Sequence, residues 1–271
     1  MRHRPPSPRV ALIPAQRHAE ILQILKVDGA ASVQQLAERT GASISTIRRD
    51  LEALEEAGFL DRSFGGASLR ARALATLETG QAVASHILQG EKAAIGRAAA
   101  GLVAAHQAVI LDSGSTVTEV AHDLARRAPP LTVITNDLSI AQVLSAVARL
   151  RLVVTGGVVR PGSSTLTGSP GEELLGTVHA DLAIIGAHAV TLDGISETNL
   201  EIVRVKQAIM RAARRVVVVA DHSKFGEPSV FRVGPLVRGT LLVTDWRADP
   251  EILAAFAEQG VEVIVAPEPA A

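Results

Sequence analysis

The chain has 271 residues, 47% of them hydrophobic and 20% charged, with a formal net charge of −1. At about 150 residues per domain, that length predicts two domains with cores of their own and argues against a disordered chain. With no cysteine present, disulfides, thiolate zinc sites, iron–sulfur clusters and cysteine nucleophiles are excluded.

The near-neutral total hides an asymmetry. Residues 1–70 hold 10 Lys+Arg against 8 Asp+Glu, and the remainder holds 17 against 20. Such a small basic excess does not announce a polyanion partner, so the arrangement of the charges has to make that case. Residues 1–14 form a basic, Pro-rich tail without the apolar stretch of a signal peptide. No apolar run approaches the ~20 residues that span a bilayer, so a soluble, cytoplasmic protein is expected.

Residues 15–68 predict a winged helix-turn-helix. Apolar spacing through Ile21, Leu22 and Leu25, stopping at Asp28-Gly29, marks a first helix. Ser32 and Gln35 form a capping box that opens a second helix through Leu36 and Ala37, and Gly41 ends it in a left-handed conformation. A third helix is predicted from near Ser43 to about Ala57. Gly58-Phe59-Leu60 then leads into a turn at Gly65-Gly66.

The third helix carries the first functional signal. At 100° per residue, Ile44, Ile47, Leu51 and Leu54 fall within about 80° and predict a core stripe. Arg49 lies opposite, flanked by Ser45, Thr46 and Ala53. Arg48 sits beside the stripe, within sideways reach of a backbone phosphate. Glu52, Glu55 and Glu56 gather toward the C-terminal half. A helix entering the major groove by its N-terminal half needs this polarity, because Arg and Ser/Thr contact base edges and phosphates there. Ser43, Ser45, Thr46, Arg48 and Arg49 are therefore candidate DNA-contacting residues. A solvated helix face with two arginines is the other reading of the same pattern.

Residues 69–89 carry no convincing strand pattern and read as a linker. From 90 to 271, helical and strand patterns alternate. A helix at 91–105 precedes strands at 108–112, 131–135, 152–155, 181–186, 216–220, 241–244 and 261–265. Short, non-alternating apolar strands between helices predict an α/β domain with a parallel sheet covered on both faces.

Ligands of open α/β sheets sit at the carboxyl ends of strands. Asp112-Ser113-Gly114-Ser115-Thr116 follows the first strand and opens a helix running to about Arg127. Its amides and hydroxyls point at one anion at the positive end of the helix dipole. A capped helix start with nothing bound has the same composition. Other strand ends supply Thr135-Asn136-Asp137, Thr155-Gly156-Gly157 and Asp221-His222-Ser223-Lys224. Their convergence predicts one pocket lined by Asn136, Asp137, Gly156, Gly157 and Lys224. Asp221-His222-Ser223 is no triad, since adjacent residues do not converge as nucleophile, base and orienter. His179 and His188 lack metal-ligand spacing, and neither a metal nor a cofactor is expected. Gly156, Gly157, Gly162 and Gly168 open a hairpin-like stretch and do not make a dinucleotide fingerprint.

Residues 17–51 resemble the helix-turn-helix signature of the DeoR family of bacterial transcriptional regulators. It stands here as Arg17, Ile21 and Leu25, a 17-residue spacer, then Ser43-Ile44-Ser45-Thr46-Ile47-Arg48-Arg49-Asp50-Leu51. Gly65-Gly66-Ala67 is similar to the family's wing, with Phe64 where a His is usual. The resemblance extends through 90–265 and is poorest at 76–89, where only Glu78 survives. Residues 221–225 resemble a family motif, and Glu201 and Lys206 match its acidic and lysine positions, which the resemblance implies are effector-binding; a solvated helix face is the other reading of that Glu and Lys.

The resemblance implies a C-terminal effector sensor, similar to ribose-5-phosphate isomerase, that binds a phosphorylated sugar. It implies a repressor of sugar-metabolism genes on double-stranded operator DNA, and a homo-oligomer is expected because one recognition helix covers only a short site. The rival is a sugar-phosphate isomerase with an accessory DNA-binding module. The isomerase's paired acidic motif is reduced here to Asp193-Gly194, followed by Ile195 and Ser196, so binding without turnover is expected. A purely structural DNA-binding protein would leave residues 90–271 without a use.

Overall fold

The computed structural model of the protein describes residues 14–28, 30–57, 59–63, 65–69 and 88–269. Residues 1–13, Phe64 of the wing turn and linker residues 70–87 lie outside the described residues. The chain divides into two units, 1–87 and 88–271.

In the first unit, α1 (Pro14–Asp28), α2 (Val33–Thr40) and α3 (Ile44–Glu56) pack around Ile21, Leu25, Leu36, Ile47, Leu51 and Leu60. Ser32 and Gln35 make the reciprocal capping box, with the Gln35 N–H donating to Ser32 Oγ at 3.2 Å and the Ser32 N–H to Gln35 Oε1 at 2.8 Å. Gly41 ends α2 at φ 70°, and Ser43 caps α3.

One expectation is corrected and one is extended. Ile44, expected in the core stripe, is 47% exposed. It occupies the first position of α3, a turn ahead of the buried Ile47. The hairpin that follows α3 is present, β2 (Leu60–Ser63) with β3 (Gly66–Leu69), and β1 (Ala30–Ser32) joins it in a three-stranded antiparallel sheet ordered β1-β3-β2. A three-residue β1 is too short to show a period of two. Its closeness to β3 requires Gly66, where a Cβ would meet Ala31 O at 2.5 Å.

The second unit opens with α4 (Gln89–Gly101), β4 (Ala108–Leu111), α5 (Ser115–Arg127), β5 (Leu131–Thr135), α6 (Leu138–Ser145) and β6 (Leu150–Val154). A short hairpin, β7 (Val158–Val159) and β8 (Leu166–Thr167), leads to α7 (Ser169–Leu175) and β9 (Ala180–Gly186). Then follow β10 (Ala189–Thr191), β11 (Gly194–Glu197), α8 (Leu200–Ala212), β12 (Ala213–Val219), β13 (Phe231–Gly234), β14 (Leu241–Asp245), α9 (Pro250–Glu258) and β15 (Glu262–Ala266).

Seven of these strands form the expected parallel sheet, ordered β15-β14-β12-β9-β4-β5-β6. Because successive side chains point to opposite faces, each apolar strand feeds two cores. Val109, Leu111, Ile184, Val217 and Val243 pack with α4 and α5. Ile110, Ile185, Val218 and Leu242 pack with α8 and α9. Each such side chain contributes about 1.5–3 kcal/mol by leaving water, which is why the runs do not alternate.

The unpredicted part is a second sheet, antiparallel and ordered β10-β11-β13. At the β10–β11 turn a Cβ on Gly194 would meet Gly234 O at 2.0 Å. Asp193-Gly194 is thus a turn required by close backbone approach.

Candidate functional site

A parallel sheet brings the carboxyl ends of all its strands to one edge. From β4 the chain proceeds outward through β5 and β6, then returns to build β9, β12, β14 and β15 on the other side. The direction of winding therefore reverses between β4 and β9, the place where open α/β sheets hold ligands. Asp112 follows β4 at that point.

Asp112 is 1% and Lys206 3% exposed. Lys206 Nζ donates to Asp112 Oδ2 and to Gly186 O at 2.7 Å, and lies 3.3 Å from Glu197 Oε1. The Gly186 N–H also donates to Asp112 Oδ2, at 3.2 Å. Burial pulls the Lys206 ammonium toward neutrality, but the Asp112 and Glu197 carboxylates outweigh it and hold the pKa above the usual lysine range. Lys206 is thus an internal counter-ion to two carboxylates. Glu201, its expected companion, is solvent-exposed and accepts from Thr167 Oγ1 at 3.3 Å. The buried acid beside Lys206 is Glu197, which the sequence reading missed because β11 had no recognised strand signal.

Gly114 starts α5 at φ 117°, with no side chain capping the helix. A Cβ there would meet nothing within 4 Å. Ser113 and Thr116 are buried, and Ser115 is half-buried. On the next strand, Asn136 and Asp137 are both buried. Asp137 Oδ1 caps α6 by accepting from Ser139 N–H at 2.8 Å and Ile140 N–H at 3.2 Å. Asn136 is tied to the β7–β8 hairpin, its carbonyl accepting from Leu166 N–H at 2.7 Å. Gly156 and Gly157 turn the chain into that hairpin at φ 78° and 125°. At Gly157 a Cβ would meet Thr167 O at 2.4 Å, so these glycines shape the backbone.

Across the reversal point, Asp221, His222, Ser223 and Lys224 follow β12. Ser223 N–H donates to Asp221 Oδ1 at 3.1 Å, while the His222 ring and N–H bond to Asp245 at 2.9 and 2.7 Å. The two pairs diverge, so these residues do not form a triad. Burial pushes the Asp245 carboxyl up, but hydrogen bonds from His222 and Arg247 outweigh it and hold it below the usual range.

Lys92, on the first turn of α4, joins this group and was not expected. It is 4% exposed. Burial pushes its ammonium down to about 8, opposed by the Asp221 carboxylate and assisted by Lys224. Sequence offered no signal for it beyond a polar residue in an amphipathic turn.

In the first unit, Ser45, Arg48 and Arg49 are exposed along α3. Ser43 Oγ accepts from Thr46 N–H at 3.1 Å, so Ser43 is engaged as the cap. Asp50, on the opposite side, is buried against Arg17 and His18. Glu52 lies 3.1 Å and Glu55 3.8 Å from Arg62 of β2, which fastens the wing to the acidic half of α3 and leaves its cationic half outward.

The family model described as the DeoR C terminal sensor domain matches residues 88–246, and that of the DeoR-like helix-turn-helix domain matches 17–72. The chain belongs to the DeoR family. Among its relatives, the HTH-type transcriptional regulator GolR of Listeria innocua is 32% identical over 258 residues, covering 94% of this chain and 100% of its own. The HTH-type transcriptional repressor GlcR of Bacillus subtilis is 32% identical over 255 residues, covering 92% and 95%. The glycerol-3-phosphate regulon repressor of Escherichia coli is 28% identical over 249 residues, covering 92% and 97%. A solved ribose 5-phosphate isomerase A from Methanocaldococcus jannaschii overlays on 50% of this chain and 53% of its own, at 18% identity and a TM-score of 0.38. The DeoR-family assignment makes this chain a transcriptional regulator with a DNA-binding unit and a sensor unit. No helix among the described residues is long and apolar enough to cross a membrane.

Proposed function

We propose that this regulator is a cytoplasmic, homo-oligomeric repressor of sugar-metabolism genes whose operator affinity is set by a phosphorylated sugar bound at the carboxyl edge of the sensor sheet. The observation that carries this reading is the uncapped start of α5 at the winding reversal. Lys92 and Lys224 stand at the same sheet edge. Amides at a helix start and ammonium groups both favour a dianion. The relative named for a glycerol-3-phosphate regulon supports a phosphorylated polyol as the ligand class. Paired subunits are proposed because one recognition helix covers only a short site.

The test is calorimetric titration with matched sugars and sugar phosphates. The phosphorylated member is expected to bind at least about tenfold more tightly, since each charge-assisted hydrogen bond contributes roughly 1.5–3 kcal/mol. Gly114→Val should abolish that binding by placing a side chain where the anion sits and straining a positive-φ position. Equal affinity for the free sugar would reduce the loop to a helix start.

Lys92 gives the site a pH dependence. A bound dianion favours the ammonium form, whereas the free protein releases that proton as pH rises through about 8. Binding above pH 8 must therefore take up a proton, and affinity should fall by up to about tenfold per pH unit. Titration at pH 9 in two buffers of different ionisation heat measures the uptake. Affinity unchanged between pH 7 and 9.5 would remove Lys92 from the site.

On the DNA side, Arg49→Ala is expected to cost about 1–3 kcal/mol on an operator selected from random sequence and to relax specificity at one position. Arg48→Ala should weaken all sequences evenly and lower the salt slope by about one. Fluorescence anisotropy over a salt series separates the two. Wild-type affinity in both variants would take α3 out of the groove.

A further inference from the structure

Among the described residues, three buried side-chain atoms have no hydrogen-bond partner: Asp112 Oδ1, Asn136 Oδ1 and Thr244 Oγ1. The first two belong to residues at neighbouring strand ends. Leu111 of β4 pairs in parallel with Thr135 of β5, so Asp112 and Asn136 are the next residues beyond two neighbouring strand ends, roughly 4.8 Å apart across the sheet. Both residues are 1% exposed, and a buried acceptor without a donor is costly to keep.

Each side chain is held through its other polar atom. The other oxygen of Asp112 is engaged by Lys206 and the Gly186 N–H. Asn136 Nδ2 donates to Leu166 O at 3.4 Å, and flipping the amide would set Oδ1 against that carbonyl. Both atoms only accept, so an anion is repelled here and a donor is required. The Lys206 ammonium beside Asp112 also disfavours a metal cation. Neutral O–H donors fit both conditions.

We infer that Asp112 Oδ1 and Asn136 Oδ1 accept hydrogen bonds from two neighbouring hydroxyls of the effector, and so select a phosphorylated sugar or polyol carrying an intact diol. This rests on the phosphate reading above and adds which atoms read the carbon skeleton. The site is then polar along its length, with donors toward the phosphate at α5 and acceptors toward the hydroxyls at β4 and β5. A site built to hydrogen-bond a hydroxyl rejects an analogue that lacks it, because its own buried acceptor is left unpaired.

The experiment titrates the full-length protein with ribose 5-phosphate, glucose 6-phosphate, the 2-deoxy analogue of each, and inorganic phosphate. For each sugar phosphate that binds the wild type, Asn136→Leu is expected to shrink the preference over inorganic phosphate by about tenfold or more. Its ligand-free thermal midpoint should change little, because the loss of the long Nδ2 bond to Leu166 O is offset by removal of an unpaired buried acceptor. Asp112→Asn should shrink the same preference; if that variant fails to fold for want of a partner to Lys206, Asn136→Leu decides alone. A folded Asn136→Leu with wild-type preference overturns the inference and leaves the phosphate reading standing. Failure of every phosphorylated probe to bind the wild type overturns both.

Discussion

Lys206→Met is expected to destabilise the sensor unit by about 3–5 kcal/mol, the usual cost of removing one partner from a buried ion pair. Met fills similar space, so the loss is electrostatic: Asp112 and Glu197 would remain buried without their shared counter-ion. The triple variant Lys206→Met/Asp112→Asn/Glu197→Gln should recover much of that loss, because it removes all three charges together. Urea unfolding of both variants at pH 7 measures the difference. A loss under 1 kcal/mol for Lys206→Met would mean that the cluster is hydrated. The sign with pH also follows. The pKa of Lys206 is raised by folding, so its contribution is fully present below the ordinary lysine value near 10.5 and is lost as pH rises above it.

Asp50→Ala is expected to cost the DNA-binding unit about 3 kcal/mol and to abolish operator binding while the sensor unit still binds its ligand. Asp50 is 5% exposed and joins α3 to α1 through Arg17 Nη2 at 2.9 Å and His18 Nε2 at 3.0 Å. Removing it leaves the Arg17 guanidinium mostly buried without its carboxylate. A unit this small has little stability to lose. Burial pushes the Asp50 carboxyl up, but Arg17 and His18 outweigh it and hold it low. The contribution is therefore present above the ordinary aspartate value near 3.8 and is lost as pH falls below it. Arg17→Met/Asp50→Leu should restore most of the stability and, with it, operator binding. Operator affinity unchanged in Asp50→Ala would show that this pair does not hold the recognition helix.

If the proposed effector sets operator affinity, the two are expected to be linked reciprocally, which effector titrations with and without operator DNA measure. A ligand shifts DNA affinity only through its different affinity for the DNA-competent and incompetent states, so operator must change effector affinity by the same factor.

Signals written within a few residues were legible in the sequence. The capping box at Ser32 and Gln35, the left-handed Gly41, the helix start near Ser43 and the strand at 131–135 all depend on neighbours along the chain. So does the non-alternating apolar pattern that requires a sheet covered on both faces. These were enough for the two-unit organisation, the parallel sheet and the strand–Gly–helix junction after β4. Contacts between distant residues were not legible. Asp112 and Lys206 are 94 positions apart, and Arg17 and Asp50 are 33 apart. Nothing in the local period says that a polar residue on a helix turns inward to meet a carboxylate from another strand. The same holds for Glu197 on the unforeseen β11, for Lys92 beside Asp221, and for Ile44, which has the spacing of a core residue but is half exposed at the first position of α3. Backbone period and caps are local energies. Which charges are buried together is set by strand order, because only the folded sheet brings the ends of β4, β9 and β12 to one edge.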